Sequence, residues 1–164
     1  MTISPELAML DTNVLVYAYY TDTSHYSAAF PLLDRAQDPG ALLCVSPQVL
    51  AEFYAVITNP RRVNAAFTVN EALAEIEKIR ALPGMILLPV PLDVVDRWVG
   101  LLREYPIIGR QIFDAQLVAT MLGNGMTKVY TFNRADFERF PFTRVKGLDD
   151  QTLGSRGTVL PPQE

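Results

Sequence analysis

Sulfur and imidazole are nearly missing from this chain: its 164 residues include one cysteine and one histidine. That scarcity excludes a disulfide framework and any Cys/His zinc cluster. Cys44 falls inside the apolar run Leu42–Val45 and is most simply a core residue. His25, in Thr23-Ser24-His25-Tyr26, is expected at the surface near a helix start. Positive charge is also in short supply, with 14 Lys and Arg against 18 Asp and Glu and a net charge of −4. Broad electrostatic attraction to nucleic acid is therefore disfavoured, although a local basic rim around an acidic site is compatible with that sum. No apolar run is long enough to span a bilayer, and the N-terminus lacks a basic leader followed by a long apolar region. The expectation is a cytoplasmic protein without a membrane partner. Internal repeats and low-complexity segments are absent.

Apolar residues make up 49% of the sequence, enough for a substantial core. The expected organisation is one domain over residues 1–148, followed by a polar C-terminal tail over 149–164 that carries Gly154, Gly157 and Pro161-Pro162. Short apolar runs alternate with longer helical patterns. Leu7–Leu10, Leu42–Val45, Met85–Leu88 and Val129–Thr131 read as buried strands, and Arg144-Val145 as a last edge strand. Ser24 is a candidate cap for a helix carrying Ala28, Ala29, Leu32, Leu33 and Ala36, with Pro31 blurring its boundary. Ser46-Pro47 is a helix start, with serine as N-cap and proline at the first helical position. Thr68 and Glu71 have capping-box spacing ahead of Val69, Ala72, Leu73, Ile76 and Ile79, which predict a core face. Trp98 is placed in the core with Val94, Val95, Leu101 and Leu102. This alternation predicts an α/β fold around a central, mostly parallel sheet.

Four acids recur at strand ends or early helical turns. Asp11 closes the first apolar run, and Asp136 follows the strand that ends at Thr131. Glu52 shares a helical stripe with Val49, Phe53 and Val56, and Asp114 shares one with Leu117, Val118 and Met121. Each has a bland reading: Asp11 and Thr12 as a helix cap, Glu52 tilted to water, Asp114 favouring a helix dipole. Gathered at one sheet edge, they would behave differently. Two carboxylates 4 Å apart repel by about 4 kcal/mol at an effective dielectric near 20. Such a cluster must protonate, hydrate or bind a cation, and an all-oxygen donor set matches Mg²⁺ or Mn²⁺. Metal-assisted phosphodiester hydrolysis is the natural reaction class. Asn13, Asn133, Thr12 and Thr131 are the candidate supporting polar groups. Arg61, Arg62, Arg110, Arg134 and Arg139 are candidate contacts to a nucleic-acid backbone, each with the alternative of plain surface charge.

The segments MLDTNVLVY (Met9–Tyr17), SPQVLAEFYAV (Ser46–Val56), IFDAQLVAT (Ile112–Thr120) and VYTFNRADF (Val129–Phe137), in this order and spacing, resemble the PIN-domain ribonucleases, and within them the VapC-type toxins. The resemblance covers Leu7 to Val145. It implies a three-layer α/β/α fold and divalent-metal-dependent RNA cleavage at an acidic site. Asp11, Glu52 and Asp114 fall on three of the family's acids, and Asn13 and Thr131 on its supporting positions. Many relatives carry Asp two residues after the threonine, where this chain has Asn133. Asp136 is the nearest carboxylate to take that place. The toxin branch further implies a homodimer and a VapB-type antitoxin that inserts a tail segment into the groove.

Two other readings remain open on sequence. A haloacid-dehalogenase-like phosphatase also starts with an apolar strand ending in Asp. It needs a second Asp two residues on, where this chain has Asn13, and a late lysine, for which Lys128 is poorly placed. The other is a PIN fold kept as an inactive RNA- or protein-binding scaffold, against which three intact acids argue.

Overall fold

The computed structural model of the chain describes residues 6–148. The tail expected from 149 onward lies outside the described residues. In chain order the elements are β1 (Ala8–Leu10), α1 (Thr12–Tyr19), α2 (Tyr26–Asp34), β2 (Leu43–Val45), α3 (Pro47–Ile57), α4 (Val69–Ala81), β3 (Met85–Leu87), α5 (Val94–Glu104), α6 (Ile112–Gly123), β4 (Lys128–Thr131), α7 (Arg134–Glu138) and β5 (Arg144–Gly147). Short 3₁₀ turns precede β2 and α6.

The strands form one sheet in the order β3-β2-β1-β4-β5, and every pairing is parallel. The sheet is thus fully rather than mostly parallel among the described residues. β1 and β2 are buried along their whole length, which is why they read as unbroken apolar runs rather than alternating ones. From β1 the chain steps to β2 and on to β3 in one direction. It then crosses back to β4 and continues to β5. Because parallel crossovers are right-handed, a reversal of direction puts the connecting helices on opposite faces. α1 to α4 accordingly pack together in one layer, and α5, α6 and α7 form the other. The reversal occurs between β1 and β4, the place where such sheets open a crevice at their carboxyl ends.

The helix starts follow their sequence signals. The Ser46 hydroxyl accepts from the Val49 N–H at 3.2 Å. Thr68 and Glu71 make a reciprocal capping box, with the Thr68 N–H donating to Glu71 at 2.7 Å and the Glu71 N–H to Thr68 at 3.3 Å. Three expectations differ in detail. α2 starts after His25 without a side-chain cap, so Ser24 does not serve as one, and Pro31 sits inside the helix. His25 is not a free surface residue: its ring lies 4.6 Å from both Tyr17 and Phe132 and is half-buried between them. Along α4 only Ala72 and Ile79 are buried, while Val69 and Leu73 are 56% and 49% exposed. That helix packs on α3 and the edge strand β3, so part of its apolar stripe overhangs the sheet. Trp98 packs partly buried against the core, and Cys44 is fully buried. Among the described residues, no helix is long and apolar enough to cross a membrane.

Gly84 is a position where only glycine fits. Its N–H donates to the Ala36 carbonyl at 2.7 Å, its carbonyl accepts from the Leu43 N–H at 3.0 Å, and an added Cβ would stand 2.1 Å from the Asp38 carbonyl oxygen. Backbone on both sides must move to admit a methyl group. Gly84→Ala is expected to cost about 2–3 kcal/mol, read as a lower urea midpoint at unchanged slope. A midpoint equal to wild type would show that the turn around Asp38 yields freely.

Candidate active site

The site is assembled where β1 and β4 end side by side. Asp11 follows β1 directly, and its backbone N–H donates to the Tyr130 carbonyl at 3.0 Å, extending the β1–β4 ladder by one step. Its extended backbone makes it the N-cap of α1. One carboxylate oxygen, Oδ1, accepts from the Thr12 N–H at 2.7 Å. The other, Oδ2, accepts from the Thr131 hydroxyl at 2.7 Å and the Asn13 amide at 3.0 Å. Asn13 is fixed in turn, since its Oδ1 accepts from the Phe132 N–H at 3.2 Å. The fully buried Thr131 hydroxyl, while donating to Asp11, accepts from the Asn133 N–H at 2.9 Å. Asn133 therefore joins the network through its backbone, and its side chain is exposed.

Glu52 approaches from α3, half-buried, with both carboxylate oxygens engaged. The Thr12 hydroxyl donates to Oε2 at 3.0 Å and the Gln48 amide to Oε1 at 2.9 Å. Asp114 enters from the first turn of α6 and Asp136 from the first turn of α7. Arg139 lies one turn beyond Asp136, with Nη2 3.6 Å from its carboxylate and Nη1 donating to Gln111 at 3.0 Å.

The acids register each other's charge. Burial pushes the Asp11 carboxyl up to about 6, opposed by its hydrogen bonds from Thr131 and Thr12 and reinforced by the charges of Glu52 and Asp136. Asp114 is pushed up to about 7, first by burial and then by Asp136 and Asp11, with Arg139 pulling the other way and Glu52 adding a smaller push. Asp11, Glu52, Asp114 and Asp136 therefore form one electrostatic group.

Among the arginines, Arg62 and Arg110 reach the same neighbourhood. Burial lowers the Arg62 guanidinium below its ordinary range, as does the Arg110 charge, while Glu52 and Tyr17 hold its charge in place. Arg61 is exposed on the turn after α3, and Arg134 pairs with Glu138 at 3.0 Å on α7. Gln48 did not stand out in the sequence. Its signal was its position four residues before Glu52, one helical turn away on the same face.

A PIN domain family profile matches residues 8–143. The chain belongs to the PIN-domain family. Over 136 residues this PIN domain is 31% identical to ribonuclease VapC24 of Mycobacterium tuberculosis, an alignment spanning 83% of this chain and 92% of that protein. Its fold resembles that of M. tuberculosis VapC20, described as a sarcin-ricin loop cleaving toxin, with a TM-score of 0.59 at 20% identity over 80% of this chain and 92% of that one. It also resembles VapBC2 from Rickettsia felis bound to a DNA fragment from its promoter, with a TM-score of 0.58 at 19% identity over 86% and 98% of the two chains. At these identities the solved structures speak to the PIN fold alone.

The donor set of this PIN domain fits a hydrated divalent cation. It offers carboxylate, hydroxyl and amide oxygens, with mutual repulsion that a positive charge would relieve. Among the described residues, no three acidic, histidine or cysteine side chains close on one point as a ready-made cage. Mg²⁺ characteristically retains several waters and is held by few direct protein ligands.

Proposed function

We propose that this PIN domain is a divalent-metal-dependent endoribonuclease, the toxin of a VapBC-type toxin–antitoxin pair, acting in the cytoplasm. The observation that carries the reading is the Asp11–Thr131–Asn13 network at the β1/β4 crevice, with the charges of Glu52, Asp114 and Asp136 converging on it. The similarity to ribonuclease VapC24 over most of both chains supports RNA as the substrate and a VapB-type antitoxin as the partner. A homodimer is the assembly that goes with this reading.

Asp11, Glu52, Asp114 and Asp136 are the residues that would hold Mg²⁺ or Mn²⁺. A cation bound there would supply neutralisation of phosphate charge and a water made more acidic. Thr131 and Asn13 hold the Asp11 carboxylate in one orientation. Thr12 does the same for Glu52 without adding negative charge. Arg62 and Arg110 flank the acids and suit contacts to the phosphates of the RNA strand. Arg139 tempers the repulsion between Asp114 and Asp136 and keeps that corner from closing completely to anions.

The phosphatase reading fares worse. Asn13 occupies the place of its second Asp and is committed to Asp11 and the Phe132 backbone. Lys128 begins β4, at the opposite strand end from Thr131, with its ammonium 5.2 Å from the centre of the Tyr130 ring. A single comparison separates the readings. With Mn²⁺ present, the protein should cut a structured RNA internally and leave p-nitrophenyl phosphate untouched, and EDTA should stop the cutting. Release of nitrophenol with intact RNA would reverse the assignment; inertness toward both would favour the scaffold.

A further inference from the structure

We infer that Gln48 is a positioning residue for the acidic site, an amide clamp that ties Glu52 to the first turn of α6 beside Asp114. The inference rests on the reading of those two acids as cation-holding groups. Its geometry is independent of that reading. The Gln48 Nε2 donates both to Glu52 Oε1 and to the Phe113 carbonyl, each at 2.9 Å. Glu52 is on α3 and Phe113 immediately precedes Asp114 on α6, so one side chain ties together helices from opposite layers of the sheet.

The orientation of the amide is dictated by its partners. Both are acceptors, and turning the group over would set Oε1 against a carboxylate and a carbonyl. The same orientation leaves Gln48 Oε1 buried with no hydrogen-bond partner. Buried acceptors are rarely left unsatisfied without a functional reason.

The choice of glutamine also has a physical reason. A lysine or arginine four residues before Glu52 would fix the carboxylate equally well but would neutralise it. A neutral amide holds the carboxylate still and leaves its charge for the cation. The Thr12 hydroxyl plays the same part on Oε2, so each oxygen of Glu52 accepts from a neutral donor.

The test is Mn²⁺ binding to the full-length protein, followed by the electron paramagnetic resonance of free Mn²⁺, beside steady-state cleavage of an RNA. Gln48→Met keeps the volume and helix propensity and removes the donor; Gln48→Ala removes the side chain in a helix-favouring way. Glu52→Gln and wild type run alongside. Both Gln48 variants are expected to weaken Mn²⁺ binding about 10- to 100-fold, the usual consequence of losing an outer hydrogen bond to a metal ligand. The RNA KM should stay within about twofold and kcat should fall, recovering partly at high Mn²⁺, as for a lost outer contact of this kind. If Glu52→Gln loses Mn²⁺ and the Gln48 variants bind it as wild type does, the clamp is refuted while the assignment of the acids stands. If Gln48 variants only melt earlier, with Mn²⁺ affinity intact, Gln48 is a structural brace and the inference is overturned. If Glu52→Gln binds Mn²⁺ normally, the reading of Glu52 fails and the clamp fails with it.

Discussion

Asp114→Asn protein is expected to fold, to melt a few degrees above wild type at pH 8, and to cleave RNA on the order of 10³-fold more slowly or worse. The stability gain comes from deleting a charge that burial, Asp136 and Asp11 all oppose. On the proposed reading, the activity loss would come from removing one of the few groups that could hold a cation against the substrate phosphate. Asp11→Asn should be equally inactive, but with little change in melting temperature. Its carboxylate accepts from Thr12, Thr131 and Asn13, and an amide there would face the Asn13 NH₂ with a second donor. The two variants thus separate roles that activity alone would merge. Activity of either variant near that of wild type would end the catalytic assignment, and an unstable Asp114→Asn would contradict the charge argument.

The second large effect is a reversal of the pH dependence of stability by metal. An ordinary aspartate loses its proton near 3.8, whereas Asp11 and Asp114 hold theirs to about 6 and 7. Between those values the native state binds more protons than the unfolded chain, so stability falls as pH rises. The contribution is complete below about 3.8 and is lost as pH climbs through 6 and 7. Chelator-treated protein should therefore melt about 5 °C higher at pH 5.5 than at pH 8, a modest figure because these carboxylates are partly exposed. Millimolar Mg²⁺ or Mn²⁺ should raise the melting temperature at pH 8 and do little at pH 5.5, where protons occupy the same oxygens. Calorimetric scans at both pH values settle the matter. A metal-free protein most stable at pH 8 would refute the electrostatic picture of the site.

The strands and the Ser46 and Thr68 helix starts were legible because each rests on a local rule: unbroken apolar runs, a hydroxyl cap, a proline at the first turn. Asp11, Glu52 and Asp114 stood out for a related reason, as carboxylates at positions where apolar neighbours point inward. What local rules miss are relations between distant segments. Val69 and Leu73 have core periodicity, but α4 sits over the sheet edge and leaves them in water. His25 has no distinguishing neighbours in sequence, yet the rings of Tyr17 and of Phe132, the latter 107 residues further along, close around it only after β4 is placed beside β1. Leu42 takes a left-handed backbone at φ 51°, a conformation usually left to glycine or asparagine, with no sequence cue. The bond from Gln48 to the Phe113 carbonyl spans 65 residues, so only half of that bridge was visible as helical spacing.

The sheet order has a consequence for synthesis on the ribosome. β1 is made before the other strands but lies between β2 and β4, and β4 emerges only after two further strands and six α-helices. Until then one edge of β1 has no partner, and the threonine that orients Asp11 has not yet been polymerised. On the proposed reading, a nascent chain carrying Asp11 and Glu52 but not β4 would lack the assembled site, and its open strand edge would be prone to pairing with other chains. On that reading, cleavage of RNA would begin only after β4 has joined the sheet and Thr131 has met Asp11.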